Sequence, residues 1–82
     1  IMMKVKLKCF SQVKYALSEN EITYELKEGT FTHDLEKMVR EKANGKLDGV
    51  TLSIAVNKKY ISKNMELKEG DEIAFIPPVQ GG

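Results

Sequence analysis

Residues 30–45 read Thr-Phe-Thr-His-Asp-Leu-Glu-Lys-Met-Val-Arg-Glu-Lys-Ala-Asn-Gly and carry the one long helical pattern in the chain. Phe31, Leu35, Met38, Val39 and the stem of Lys42 recur at a spacing that lines one stripe of a 3.6-residue helix. Thr30 is the expected N-cap, Asp34 lies near the positive end of the macrodipole, and Asn44-Gly45 offers a left-handed stop. A helix over 31–43 is predicted, with both ends marked.

The flanking segments change to a period of two. In residues 4–10, Val5, Leu7 and Cys9 alternate with Lys4, Lys6 and Lys8, the pattern of a half-buried strand. Ser11 is the expected cap of a short helical turn ending at Leu17, with Val13 and Leu17 facing the core. Ile22, Tyr24 and Leu26 alternate into a second strand that ends at the Glu28-Gly29 turn and pairs most simply with the first. After the helix, Val50, Leu52, Ile54 and Val56 predict a third strand, Tyr60-Ile61 a short one, and Glu72 to Ile76 a last one with Ile73 and Phe75 inward. Asp71 and Glu72 read as a solvated turn ahead of it. Pro77-Pro78 then withdraws two backbone donors, so sheet pairing should stop there.

One amphipathic helix over one face of a mixed sheet is an α+β arrangement. The order strand, strand, helix, strand, short strand, strand is that of the β-grasp, or ubiquitin-like, fold. The domain is expected to span residues 1–76, with residues 77–82 as a C-terminal tail.

At 82 residues the chain suits one domain, too small to enclose a large active-site cavity. Thirteen Lys and Arg against twelve Asp and Glu are spread along the chain, which argues against nucleic-acid binding. A single cysteine, Cys9, excludes an internal disulfide, and no Cys/His cluster has zinc spacing, so a reducing, cytoplasmic setting is expected. Neither a bilayer-spanning apolar run nor a secretory signal is apparent, so no membrane association is expected.

Side chains suited to catalysis are scattered. His33 is the sole histidine and reads as a solvated residue of the first helical turn, while Cys9 reads as a small core hydrophobe. No glycine-rich phosphate loop is present. The ending Ile76-Pro77-Pro78-Val79-Gln80-Gly81-Gly82 stands apart. A diglycine has no Cβ and can enter a slot as narrow as a peptide, and two prolines would project the tail stiffly. The Gly82 carboxylate is therefore the expected working group; a carboxylate is a poor electrophile in water, so a group carrier of this type must be activated, as in an acyl adenylate, and replacement of that group by sulfide would give a thiocarboxylate. Alternation also points Phe10, Tyr60 and Ile76 outward on one side of the sheet, as a docking patch.

Phe10-Ser11-Gln12-Val13-Lys14, Ala55-Val56-Asn57, Gly70-Asp71-Glu72-Ile73-Ala74-Phe75 and the closing Ile76-Pro77-Pro78-Val79-Gln80-Gly81-Gly82 resemble the small-subunit family of molybdopterin synthase. The similarity covers nearly the whole chain, and the ending is its most specific part. It implies that Gly82, preceded by Gly81, is adenylated by an ATP-using adenylyltransferase/sulfurtransferase partner and thiolated. The tail, Pro77 to Gln80 included, would then thread into the large catalytic subunit, where sulfur passes to a cyclic pyranopterin monophosphate. The chain itself would bind no cofactor, a heterotetramer is implied, and Phe10, Tyr60 and Ile76 match the family's docking patch. Cys9 and Ile76 depart from bulkier aromatic residues frequent in relatives. A sulfur carrier for thiamine thiazole synthesis, and a ubiquitin-like protein modifier, are the alternative readings.

Overall fold

The computed structural model describes residues 1–79. Its elements are β1 (Met2–Cys9), α1 (Ser11–Leu17), β2 (Glu21–Lys27), α2 (Thr32–Lys42), β3 (Ser53–Val56), β4 (Lys59–Ile61) and β5 (Glu72–Ile76). The five strands form one sheet in the order β2-β1-β5-β3-β4. β1 and β5 run parallel at its centre, and every other pairing is antiparallel. This is the predicted β-grasp arrangement, including the pairing of the first two strands.

The inward residues of β1 are Met3, Val5, Leu7 and Cys9, each nearly inaccessible to solvent. They meet Leu35 and Val39 of α2, Val13 and Leu17 of α1, and Ile73 and Phe75 of β5 in a single core. Truncating a fully buried leucine such as Leu35 to alanine costs about 2–5 kcal/mol, transfer and cavity terms combined.

The buried face of α2 differs from the predicted stripe. Thr32, Leu35, Val39 and Ala43 are buried, whereas Phe31 and Met38 lie on the rim and Lys42 is exposed. Thr32 can be buried because its hydroxyl donates to Asn64 Oδ1 at 3.2 Å and accepts from the Met65 N–H at 3.1 Å. The helix start is also supplied from a distance. Thr30 does not cap it; its hydroxyl donates to the Lys27 carbonyl, closing the preceding turn. The first-turn N–H groups of Thr32 and His33 instead donate to Met65 O and Asn64 Oδ1, and Asp34 Oδ2 receives the Phe31 N–H. Asn44 and Gly45 take positive φ angles of 53° and 88°, as the predicted stop requires.

Ser11 likewise is not a cap. Phe10 occupies that position in extended conformation, and Ser11 is the first residue of α1 with φ of 50°. β3 begins only at Ser53; the backbone of Val50 is used elsewhere, its N–H donating to the Leu47 carbonyl and its carbonyl accepting from Arg40. Among the described residues no helix is long and apolar enough to cross a membrane.

Candidate functional site

One sheet face is covered by the helices, and the other is divided between charge and hydrocarbon. On the β1–β2 half, register places Lys4, Lys6 and Lys8 opposite Glu25, Thr23 and Glu21. Lys8 Nζ and Glu21 Oε1 form an ion pair at 2.6 Å. Their shared hydrogen bond and mutual charge hold the lysine pKa above, and the glutamate pKa below, its ordinary value. The character changes at β5. Ala74 stands beside Lys8 on one side and Ala55 on the other, and Ala55 in turn stands beside Tyr60.

Two alanines in adjacent strands leave a shallow apolar floor. Tyr60, 68% exposed, rises at one margin, and Ile76, two residues beyond Ala74, lies on the same face because strand side chains alternate. Phe10, half exposed just past the end of β1, lines a groove with Ile76. The structure thus brings Phe10 and Ile76 together, while Tyr60 lies two strands from Ile76, roughly 10 Å across at the usual strand spacing.

The same groove holds the root of the tail, being lined by Phe10, Ser11, Gln12 and the run 76–79. Ile76 makes the last sheet pairing, opposite Ser53. Pro77 is buried, and Pro78 and Val79 are exposed, so only the second proline projects freely. Gln80, Gly81 and Gly82 lie outside the described residues.

The remaining candidates are structural. Cys9 is buried, and burial, with a smaller contribution from the Glu19 charge, pushes its thiol pKa up, away from the reactive thiolate. His33 is exposed at the start of α2. Asp71 is not the solvated turn residue that its sequence neighbourhood predicts. It is 8% exposed, with Oδ1 accepting from Asn57 Nδ2 at 2.9 Å and Oδ2 from the Lys68 N–H at 2.7 Å. Asn57 and Arg40, both fasteners of loops, were the residues that sequence reasoning missed. Among the described residues no three His, Cys, Asp or Glu side chains are grouped to hold a metal.

The model of the ThiS family matches residues 8–82. The chain belongs to the ThiS family. It is 37% identical, over 84 aligned positions, to the molybdopterin synthase sulfur carrier subunit of Chlamydomonas reinhardtii, covering 98% of this chain and 100% of that protein. The putative molybdopterin converting factor subunit 1 from Pyrococcus furiosus superposes with a TM-score of 0.82 at 31% identity, over 94% of this chain and 99% of that one. A chain from the complex of subunits 1 and 2 of the molybdopterin-converting factor of Helicobacter pylori superposes with a TM-score of 0.69 at 29% identity, over 98% and 100% of the two chains. The ThiS-family match includes Phe10, Tyr60, Ile76 and the whole tail.

Proposed function

We propose that this ThiS-family protein is the sulfur-carrier subunit of a molybdopterin synthase. The observation that carries the reading is its full-length similarity to a sulfur carrier subunit of that enzyme, 37% identical over 98% of this chain. The division of labour in the fold supports it: the sheet offers an apolar surface for docking, and the tail leaves from the edge of that surface.

The chemistry runs on the Gly82 carboxylate. On an adenylating partner a carboxylate oxygen attacks the α-phosphorus of ATP and pyrophosphate leaves. Sulfide-level sulfur then attacks the carbonyl carbon of the mixed anhydride, AMP departs, and a thiocarboxylate remains. The carrier next docks on the large catalytic subunit through Phe10, Tyr60 and Ile76, and Gly81-Gly82 delivers the sulfur to a cyclic pyranopterin monophosphate. The glycines suit this task because they need no more room than the backbone itself. ATP belongs to the adenylating partner, and the carrier contributes orientation and delivery.

Intact mass spectrometry tests the reading. The protein is incubated with ATP, a family adenylating enzyme and a sulfide source, beside a chain lacking Gly82. A mass gain matching one oxygen replaced by sulfur, absent without Gly82, is expected. No gain, with the partner proven active on another carrier, would reject sulfur transfer and return the reading to a protein modifier or a plain binding module with an inert tail.

A further inference from the structure

A chain that has left its last sheet pairing normally frays at once. Here the residue after the last pairing is buried: Ile76 pairs with Ser53, and Pro77, buried where Pro78 and Val79 are exposed, lines a groove with Phe10, Ser11, Gln12 and the rest of the run 76–79. The wall of that groove is firmly built. Phe10 is extended, Ser11 turns through a positive φ, and the Phe10 carbonyl accepts from the N–H groups of Val13 at 3.0 Å and Lys14 at 3.3 Å. Val13, in the first turn of α1, is completely buried. Pro77 suits the place because it has no N–H left unpaired by the end of the ladder and has a fixed φ. Pro78 and Val79 are exposed, so the free length of the arm begins at Pro78.

We propose that Pro77 is a positioning residue for sulfur delivery, anchored at the start of α1 so that it sets the direction and reach with which the arm leaves the docking face. The inference rests on the sulfur-carrier reading above. From a fixed Pro77, five residues extend at most roughly 17 Å to Gly82. A loosened root lengthens that reach and lets the arm swing, so a docked carrier presents its sulfur less often in the reacting geometry.

Two measurements test this. In single-turnover transfer from thiocarboxylated carrier to pyranopterin substrate on the purified large subunit, Pro77→Ala is expected to lower the rate constant at saturation roughly tenfold or more, with the carrier's dissociation constant within about threefold of wild type. Pro77→Val, which keeps the apolar bulk but regains an N–H and a free φ, is expected to recover part of the rate. A loss confined to the dissociation constant, or a Pro77→Ala rate equal to wild type, would overturn the proposal. The second measurement needs neither a variant nor any activity: the ¹⁵N heteronuclear Overhauser effect of the free wild-type chain. The ¹³Cα relaxation of Pro77, recorded on the same chain, reports the anchor itself: a Pro77 Cα as ordered as that of Ile76, with Val79 clearly more mobile, is expected, and in Pro77→Ala the Ala amide at this position should join the mobile class. A wild-type Pro77 as mobile as Val79 would show that no anchor exists. A wild-type chain that takes up no sulfur would reject the carrier reading, while the relaxation data would still judge the anchor.

Discussion

Asn57 and Asp71, 14 residues apart, join the β3–β4 hairpin to the turn that precedes β5: Asn57 Nδ2 donates to Asp71 Oδ1 at 2.9 Å. Asn57 Oδ1 also accepts from the Glu72 N–H, and the Asn57 N–H donates to the Glu72 carbonyl. The residue achieves this from a left-handed conformation, φ 51°, that asparagine tolerates better than most residues.

Asn57→Ala therefore removes two side-chain hydrogen bonds, leaves Asp71 Oδ1 short of a donor, and places a Cβ-bearing residue without local compensation at positive φ. The expected loss is about 2–4 kcal/mol in urea denaturation. Asn57→Gly removes the same hydrogen bonds while relieving the backbone, and should cost roughly 1 kcal/mol less. Equal losses for the two would mean that the backbone conformation contributes nothing.

Arg40 fastens the loop after α2. Its Nη1 donates to Leu47 O and its Nη2 to Val50 O, both at 2.7 Å, while Nε meets Glu36 Oε2 at 3.0 Å. A lysine cannot reproduce two directed donors on a planar fork. Arg40→Lys should cost about 1–3 kcal/mol, and Glu36→Ala, which removes only a partly exposed i,i+4 partner, under about 1 kcal/mol. Thermal unfolding of both variants checks the order; a larger loss for Glu36→Ala would contradict it.

These two fasteners explain where the sequence was legible and where it was not. β1, β2 and β5 each have one face on the core and one on solvent, so Val5-Leu7-Cys9, Ile22-Tyr24-Leu26 and Ile73-Phe75 announce themselves by alternation. The stripe on α2 was misassigned at Thr32 because the groups that make its burial tolerable, Asn64 and Met65, lie more than thirty residues away. The start of β3 was misplaced because Val50 and Leu52 continue the apolar alternation while the Val50 carbonyl answers Arg40. In the site, Phe10, Tyr60 and Ile76 were legible from strand alternation. The burial of Pro77 continues the inward alternation of Ile73 and Phe75 by one step, and was hidden because a Pro-Pro pair marks the end of sheet pairing, where the alternation is no longer expected to hold.

Stability should fall in alkali for a reason inside the core. Burial raises the Cys9 thiol pKa above its ordinary value of 9.0 and the Tyr24 phenol above 10.0, and the Tyr24 hydroxyl is buried without a hydrogen-bond partner among the described residues. Both groups release their protons more readily when unfolded. Stability is thus full below the unfolded values and declines as pH rises from about 9 through the folded ones. Urea midpoints measured between neutral pH and strong alkali should fall, and Cys9→Val should make the fall shallower. An unchanged slope in Cys9→Val would remove the thiol from the explanation.

The docking face makes the most direct functional prediction. Phe10 and Tyr60 are half or more exposed, so truncating them should leave the fold intact, with urea midpoints close to wild type. If the face seats on the large catalytic subunit, each aromatic is a candidate anchor over the Ala55–Ala74 floor, and Phe10→Ala and Tyr60→Ala should each weaken that complex at least tenfold, about 1.4 kcal/mol. Ala74→Arg should weaken it further, because a long charged side chain would stand on the floor between them. Glu25→Ala, on the charged half beyond β1, should change affinity by less than about threefold. Calorimetric titration of each variant into the large subunit decides the matter. Normal affinity in Ala74→Arg would place the contact elsewhere on the molecule, and a large loss in Glu25→Ala would move it to the β1–β2 half of the sheet.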